Sequence, residues 1–381
     1  MQMAEFDLAA AWREGVRRTR AACAFGQIRL LLRVLAGIAA CQAVLSTSES
    51  WGTEYQYTEL KPITAISGEF SPQDMNDEGV VVGSAMPDRF DAGPVHAFRA
   101  VQGVTIDINP GDSYTSLAEA INNSGEIVGR MSGENGRLRP FVYDGIRSRE
   151  IRGVPDPGDV RAQGVNNFGT VVLSGKQGVY IYRLHRDRDI VHVVKELKGA
   201  RAFAINDKEE IVGDRITADG SSHAFIYRDG EVRDLGTLGG ALSLARDVNN
   251  SGTIVGWAFG PRGDHAHAFI YDGRVMRDIG TLGGMQSFAT SVSNGGCVVG
   301  SAKDRHNMWR AFIYSRGGMQ DINRLVVNPP PNVIFTRAAA INDRGQIAVE
   351  AREGGAEDGR QRVFVLTPIG AATGRADCPA K

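Results

Sequence analysis

The sequence predicts an all-β fold, a seven-bladed β-propeller of four-stranded antiparallel blades. Three observations predict it. A unit of about 44 residues, the size of one propeller blade, recurs seven times between residues 55 and 368. Each unit holds four short β-branched runs separated by turn residues. The two ends of the repeat region are also complementary pieces of one unit.

Within a unit, strand A leads into the plainest marker, an Ile/Val/Met-Asn-Asn/Asp-x-Gly turn. The marker runs from Met75–Gly79 through Ile121–Gly125, Val165–Gly169, Ile205–Glu209, Val248–Gly252 and Val292–Gly296 to Ile341–Gly345. Six A strands carry a small residue four positions ahead of the Asn (Ser293 in the sixth unit): Ala118, Ala162, Ala202, Ala245, Ala289 and Ala338. Asn, Asp and Gly tolerate the left-handed backbone of a tight hairpin, which would account for their recurrence. Strand B follows as Ile127-Val128-Gly129 or Ile254-Val255-Gly256.

A variable loop then leads to strand C, clearest as His223–Tyr227 and His267–Tyr271, whose alternation reads its Phe and Tyr as packing between blades. Tight turns at Asp229-Gly230, Asp272-Gly273 and Gly317-Gly318 open strand D, as in Val232–Leu235. At the ends, Tyr55–Leu60 matches a D strand and Arg362–Leu366 a C strand. Pairing the N-terminal strand with the C-terminal blade completes the seventh blade and removes the open sheet edges.

Charges recur in register with these strands. The D segment carries an acid in all seven units: Glu59, Asp107, Glu150, Glu196, Asp234, Asp278 and Asp321. Strand C opens with a base in six: His96, Arg139, His223, His267, Arg310 and Arg362, with Gly178 in the third. Neighbouring strands bring such side chains within cross-strand reach, so these charges read as structural inter-strand pairs.

The combination of Asn-Asn-x-Gly-x-Ile-Val-Gly, His-Ala-Phe-Ile-Tyr and Asp-Leu/Ile-Gly-Thr-Leu-Gly-Gly resembles the HAF repeats of bacterial extracellular repeat proteins. The match is near-complete at 223–240 and 267–284, and His-Ala-Phe recurs literally at 96–98, 223–225 and 267–269. The third unit departs most, with Val172-Leu173-Ser174 where others have Val-Gly. The resemblance implies an exported repeat protein and supplies no catalytic residues.

Residues 1–50 lack the repeat and read as an export leader and linker; residues 369–381 form a polar tail. Arg13, Arg17, Arg18, Arg20 and Arg29 precede the run Leu30–Cys41, the layout of an export signal. Ile38-Ala39-Ala40-Cys41 is similar to the lipobox of bacterial lipoproteins, which makes Cys41 the candidate lipidation site and the one route to a membrane. Arg33 interrupts the apolar stretch, which is too short to span a bilayer. Cleavage near Ala43, or a leader that stays attached as an amphipathic helix, are the alternatives. Expected localisation is periplasmic, cell-surface or extracellular.

Forty-two per cent apolar and 23 per cent charged residues make an ordinary folded composition, and a net charge of -1 lacks the basic stripe a nucleic-acid binder needs. The four cysteines, Cys23, Cys41, Cys297 and Cys378, form no CxxC pair, and no metal or cofactor is expected. Cys297, in a Gly-Cys-Val-Val-Gly strand, reads as a small buried hydrophobe. No nucleophile elbow, phosphate loop or calcium loop occurs. Asp264-His265-Ala266-His267 offers two histidines without a third ligand.

A function is expected where sequence varies on a rigid scaffold. The A–B and C–D turns are short and repetitive, whereas the B–C and D–A loops, on the opposite face, vary freely. Trp257, Arg262, Asp264 and Trp309 are the binding candidates there. The expectation is a monomeric, exported, non-enzymatic scaffold that binds a protein or glycan partner through this loop face. The alternative is an extracellular polymer-acting hydrolase or lyase with a site in the propeller funnel, where Glu119, Arg161, Arg201, Arg246, Asp247 and Arg337 are the charged residues of strand A.

Overall fold

A computed structural model describes residues 53–61, 63, 68–86, 93–108, 115–132, 136–155, 160–184, 190–354 and 359–370. The strands are β1 (Tyr55–Glu59), then β2 (Phe70–Met75), β3 (Val81–Ala85), β4 (His96–Val101) and β5 (Val104–Asp107) in the first blade. The second holds β6 (Ser116–Ile121), β7 (Ile127–Ser132), β8 (Leu138–Tyr143) and β9 (Ser148–Glu150). The third holds β10 (Arg161–Val165), β11 (Thr170–Gly175), β12 (Gly178–Arg183) and β13 (Val191–Val194). The fourth holds β14 (Arg201–Ile205), β15 (Ile211–Ile216), β16 (Ser222–Arg228) and β17 (Glu231–Asp234). The fifth holds β18 (Ser243–Val248), β19 (Ile254–Phe259), β20 (Ala266–Tyr271) and β21 (Met276–Asp278). The sixth holds β22 (Gly283–Val292), β23 (Val298–Asp304), β24 (Trp309–Ser315) and β25 (Gly318–Asp321). β26 (Val333–Ile341), β27 (Ile347–Glu353) and β28 (Gln361–Pro368) belong to the seventh.

Each blade is an antiparallel meander, and the seventh has the order β1-β28-β27-β26. β1 pairs with β28 from Tyr55↔Pro368 to Glu59↔Phe364, so the fold is the closed seven-bladed propeller that the complementary ends predict. Tyr55 is fully buried among Ile322, Val326, Phe335 and Leu366, which fixes the closing strand by packing as well as by its ladder.

One aromatic per blade fills the space between sheets, two residues after the base (Gly178 in the third blade) on strand C. Phe98, Phe141, Tyr180, Phe225, Phe269, Phe312 and Phe364 are all buried. The Gly of strand B has a different cause, close backbone approach. A Cβ on Gly83, Gly129, Gly213, Gly256 or Gly300 would sit 1.8–2.0 Å from a carbonyl oxygen of strand A. Leu173 and Val349 occupy this position in the third and seventh blades, facing Ala162 and Ala338.

The Asn-Asn turns revise the sequence reading. Only their fifth residue has the left-handed backbone, as in Gly79 (φ 80°) and Glu209 (φ 59°); the two Asn/Asp positions do not. Those residues recur for their side chains. Asn122 Oδ1 accepts the N–H groups of Ser124 and Glu126 within its own turn, while its Nδ2 donates to the Asn166 carbonyl of the next blade (3.0 Å). The same link runs from Asn342 through Asn76, Asn122, Asn166, Asn206 and Asn249 to Ser293.

The D-segment acids also divide. Glu196 is not on a strand: it lies in the 3₁₀ turn Lys195–Leu197 beyond β13, in the unit whose strand C begins with Gly178. Asp321 caps the 3₁₀ turn Ile322–Arg324, accepting from the Asn323 N–H at 2.9 Å, and Arg310 pairs instead with Asp304 at 3.1 Å. The side-chain cap satisfies a backbone donor that a 3₁₀ turn leaves open, while Asp321 stays opposite Phe312 in the ladder of strands C and D. Cys297 is buried but also disulfide-bonded, a correction to its reading as a plain small hydrophobe.

Candidate functional site

Strand A runs from the variable-loop face to the Asn-Asn turn face, so its successive residues line an axial channel in layers. At the turn face, the third turn residues form a closed ring: Asp77, Asn123, Asn167, Asp207, Asn250, Asn294 and Asp343. Each backbone N–H donates to the side-chain Oδ1 of the next blade's residue, at 2.7–2.9 Å, around the whole circle. These groups are spent on one another, which makes this end a structural clasp.

Above that ring lie Asp74 and Asp247. Asp74 accepts the N–H of Met75 (2.8 Å) and that of Ile121 in the next blade (2.9 Å). Asp247 does the same with Val248 and Val292, both at 2.8 Å. Burial raises the Asp74 pKa to about 7 against the pull of these bonds, and it raises Asp247 as well. Both carboxyls are inter-blade ties whose charged form is disfavoured.

The next layer comes from a β-bulge in every strand A. At one equivalent place in each blade the ladder skips a residue: Gln73, Glu119, Gln163, Phe203, Arg246, Thr290 and Ala339; β22 and β26 carry a second register shift earlier in the strand. A bulge leaves its extra residue unpaired and re-aims its side chain, here into the channel. The chamber they line has a volume of about 110 Å³. Unlike the clasp, this ring holds six different residue types at seven equivalent positions. Glu119 faces Arg130 Nε at 3.5 Å, and Arg246 lies over the Phe203 ring, 5.5 Å from its centroid. Of the other strand-A charges, Arg201 pairs with Asp214 and Arg337 with Glu350, each at 2.6 Å, while Arg161 is exposed.

On the loop face, Trp257 and Trp309 belong to one run of four half-buried rings. Trp257 contacts Phe259 (5.9 Å) and Phe288 (5.8 Å), Phe288 contacts Trp309 (5.6 Å), and the Lys303 ammonium sits 5.2 Å from the Trp309 ring. The run joins the fifth and sixth blades. Phe288 and Phe259 were not singled out from sequence, although Phe288 stands where other A strands have Ser, Leu or Arg. Arg262 and Asp264 are exposed in the neighbouring B–C loop and make no contact with the rings among the described residues.

The recurring charges form a separate outer set. His96 Nδ1 donates to Asp107 (2.6 Å), His223 to Asp234 (2.9 Å) and His267 to Asp278 (2.7 Å). Arg139 donates to Glu150 (2.8 Å), and Arg362 holds Glu59 with two nitrogens at 2.6 and 2.5 Å. Asp234 and Asp278 also accept the N–H groups of Gly236 and Gly280, fixing the loop that follows. Among the described residues no group of three His, Cys, Asp or Glu has metal-binding geometry, and no helix is long and apolar enough to cross a membrane. Cys41 lies outside the described residues.

No protein-family model matches the chain, and no curated protein does. Solved structures are similar in fold. The β-propeller domain of the trilobed protease from Pyrococcus furiosus, described as having an open velcro topology, is 12% identical with a TM-score of 0.53, over 78% of this chain and 95% of that one. The acylaminoacyl peptidase of Pyrococcus horikoshii is 10% identical with a TM-score of 0.51; the match spans 78% of this chain and half of that one. At these identities the likeness shows the propeller fold alone. The ring here is closed by β1 on β28.

Proposed function

We propose that this chain is an exported, non-enzymatic β-propeller that binds a protein or glycan partner on its variable-loop face. The observation that carries this reading is the run Phe259–Trp257–Phe288–Trp309. Half-buried rings held edge to face or tilted against their neighbours present apolar area at little entropic cost, and Lys303 adds a cation beside them. The opposite face is consumed by its own hydrogen bonds, so the two faces divide into clasp and contact surface. Export follows from the leader and the HAF resemblance, with Cys41 as the acylated residue, and the disulfide at Cys297 suits an oxidising compartment.

The alternative, a hydrolase or lyase in the funnel, needs neighbouring titratable groups free to move protons. Asp74 and Asp247 have raised pKa values, but each carboxyl is engaged by two backbone N–H groups.

The test is a retention and turnover screen of the purified chain on cell-envelope glycans and immobilised envelope proteins. The expected result is retention without breakdown, lost in Trp257→Ala and Trp309→Ala. Breakdown of a polymer would overturn the reading in favour of an enzyme. Export and acylation are checked by the N-terminal mass of the chain from its native host, expected to begin at a lipid-modified Cys41.

A further inference from the structure

The channel holds a cation without a direct ion pair. Arg130, Arg201 and Arg337 face Glu119, Asp214 and Glu350 respectively. Arg246 is half-buried, and among the described residues its guanidinium makes no hydrogen bond and no ion pair. It lies over the Phe203 ring, with Glu119, Asp247 and Asp74 as the acids whose charge it feels. Gln163 lines the same chamber, and its amide likewise makes no hydrogen bond among the described residues. Both side chains are half-buried, so their donors are open to the chamber and available to an acceptor there.

We propose that this chamber is a carboxylate-binding site, in which the Arg246 fork takes both oxygens of the anion and the Gln163 amide supplies a further donor. Arginine presents two parallel N–H groups at the spacing of carboxylate oxygens, and stacking on Phe203 holds the fork in place. About 110 Å³ admits a carboxylate with a few water molecules, while the rest of a ligand extends up the funnel toward the loop face.

The surrounding charges permit an anion. Glu119 is matched by Arg130, as Arg201 and Arg337 are by Asp214 and Glu350. Asp74 and Asp247 line the same chamber and are shifted toward their neutral forms by burial. Comparison of the blades points the same way. The clasp ring repeats Asn or Asp seven times because the fold uses it in every blade, whereas the bulge ring varies because the fold asks nothing common of it.

The site does not depend on the loop-face reading, and small probes test it separately. Sodium D-glucuronate, sodium acetate, inorganic phosphate and D-glucose are titrated into the full chain at constant ionic strength, following ligand-detected NMR and the melting temperature. The expected result is saturable binding of at least one carboxylate, none of glucose, and weaker binding of phosphate. Glucuronate alone would mark acidic sugars as the ligand class, and acetate alone would restrict the site to small acids.

Arg246→Leu is expected to weaken binding at least about tenfold, since hydrogen bonds to charged groups are the strong ones, while leaving the melting temperature equal or higher. Arg246→Lys keeps the charge but not the fork and is expected to bind at an intermediate level; it also serves should the leucine variant not fold. Binding unchanged in either variant, phosphate as tight as carboxylate, or no saturable binding at all would overturn the assignment.

Discussion

The backbone N–H of Asp343 donates to Asp77 Oδ1 at 2.8 Å, joining residues 266 apart in sequence and closing a seven-membered ring around the channel. The ring is a second closure, independent of the β1–β28 ladder. It explains why the third turn position takes either Asn or Asp, since the shared requirement is a side-chain oxygen at Oδ1, whereas the second is Asn in six of the seven units because its Nδ2 donates to the next blade's carbonyl.

That requirement makes a discriminating pair of variants. Asp77→Asn keeps the Oδ1 acceptor of the Asp343 N–H and turns only Oδ2, the exposed acceptor of Asn123 Nδ2, into a donor, so it is expected to cost less than about 1 kcal/mol. Asp77→Ala removes the acceptor of the Asp343 N–H and of Asn123 Nδ2, and is expected to cost about 1–3 kcal/mol. Urea unfolding measures both; equal losses would show that charge rather than the ring matters at this position.

Tyr55 anchors the other closure. Its ring is fully buried, so Tyr55→Ala is expected to cost about 3–5 kcal/mol, in the range of large-to-small aromatic core substitutions. Its hydroxyl is buried with no hydrogen-bond partner among the described residues, and desolvation drives its pKa up. Tyr55→Phe is therefore expected to be neutral or stabilising in the same urea assay.

Gly256 tests the close approach between strands A and B. A Cβ there would lie 1.9 Å from the Leu244 carbonyl oxygen and 3.0 Å from the Ala245 Cα. Both are backbone atoms, so no side-chain rotation relieves the clash. Gly256→Ala is expected to lose more than the roughly 1–3 kcal/mol of ordinary overpacking, read as a collapse of soluble yield or of the urea midpoint.

The fold was legible because its determinants are local and repeated. Alternating strands and turn residues occur in the sequence many times over, and the complementary ends mark the closure once. The aromatic run was half legible: Trp257 and Trp309 stand out as rare residues in loop-proximal strands, but Phe288 is a common residue whose position matters only after two blades meet. The bulge ring was hidden for another reason. A one-residue register shift leaves no mark in an apolar-polar pattern, so Arg246 and Glu119 could be noted as charged residues of strand A but not assigned to a layer. Asp304 was likewise invisible as the partner of Arg310, since that contact forms across strands B and C rather than C and D.

The last prediction concerns pH and follows from Asp74. In the unfolded chain this carboxyl titrates near the ordinary Asp value of about 3.9, whereas in the folded channel it titrates at about 7. Between those values the folded state binds more protons than the unfolded state, so stability from this group falls as pH rises. Below about pH 4 both states are protonated and the group is silent; above about 7 the full penalty of the buried charge is present. Asp247 adds the same sign, because burial raises its pKa as well. Wild type is therefore expected to gain stability relative to Asp74→Asn as pH is lowered from 8 to 5. The asparagine can accept only one of the two N–H groups of Met75 and Ile121, which costs stability by a pH-independent amount, so the slope and not the offset carries the result. Urea midpoints of the two proteins at pH 5, 6, 7 and 8 decide it: converging or diverging curves report the titration, and parallel curves would mean that Asp74 holds its charge throughout.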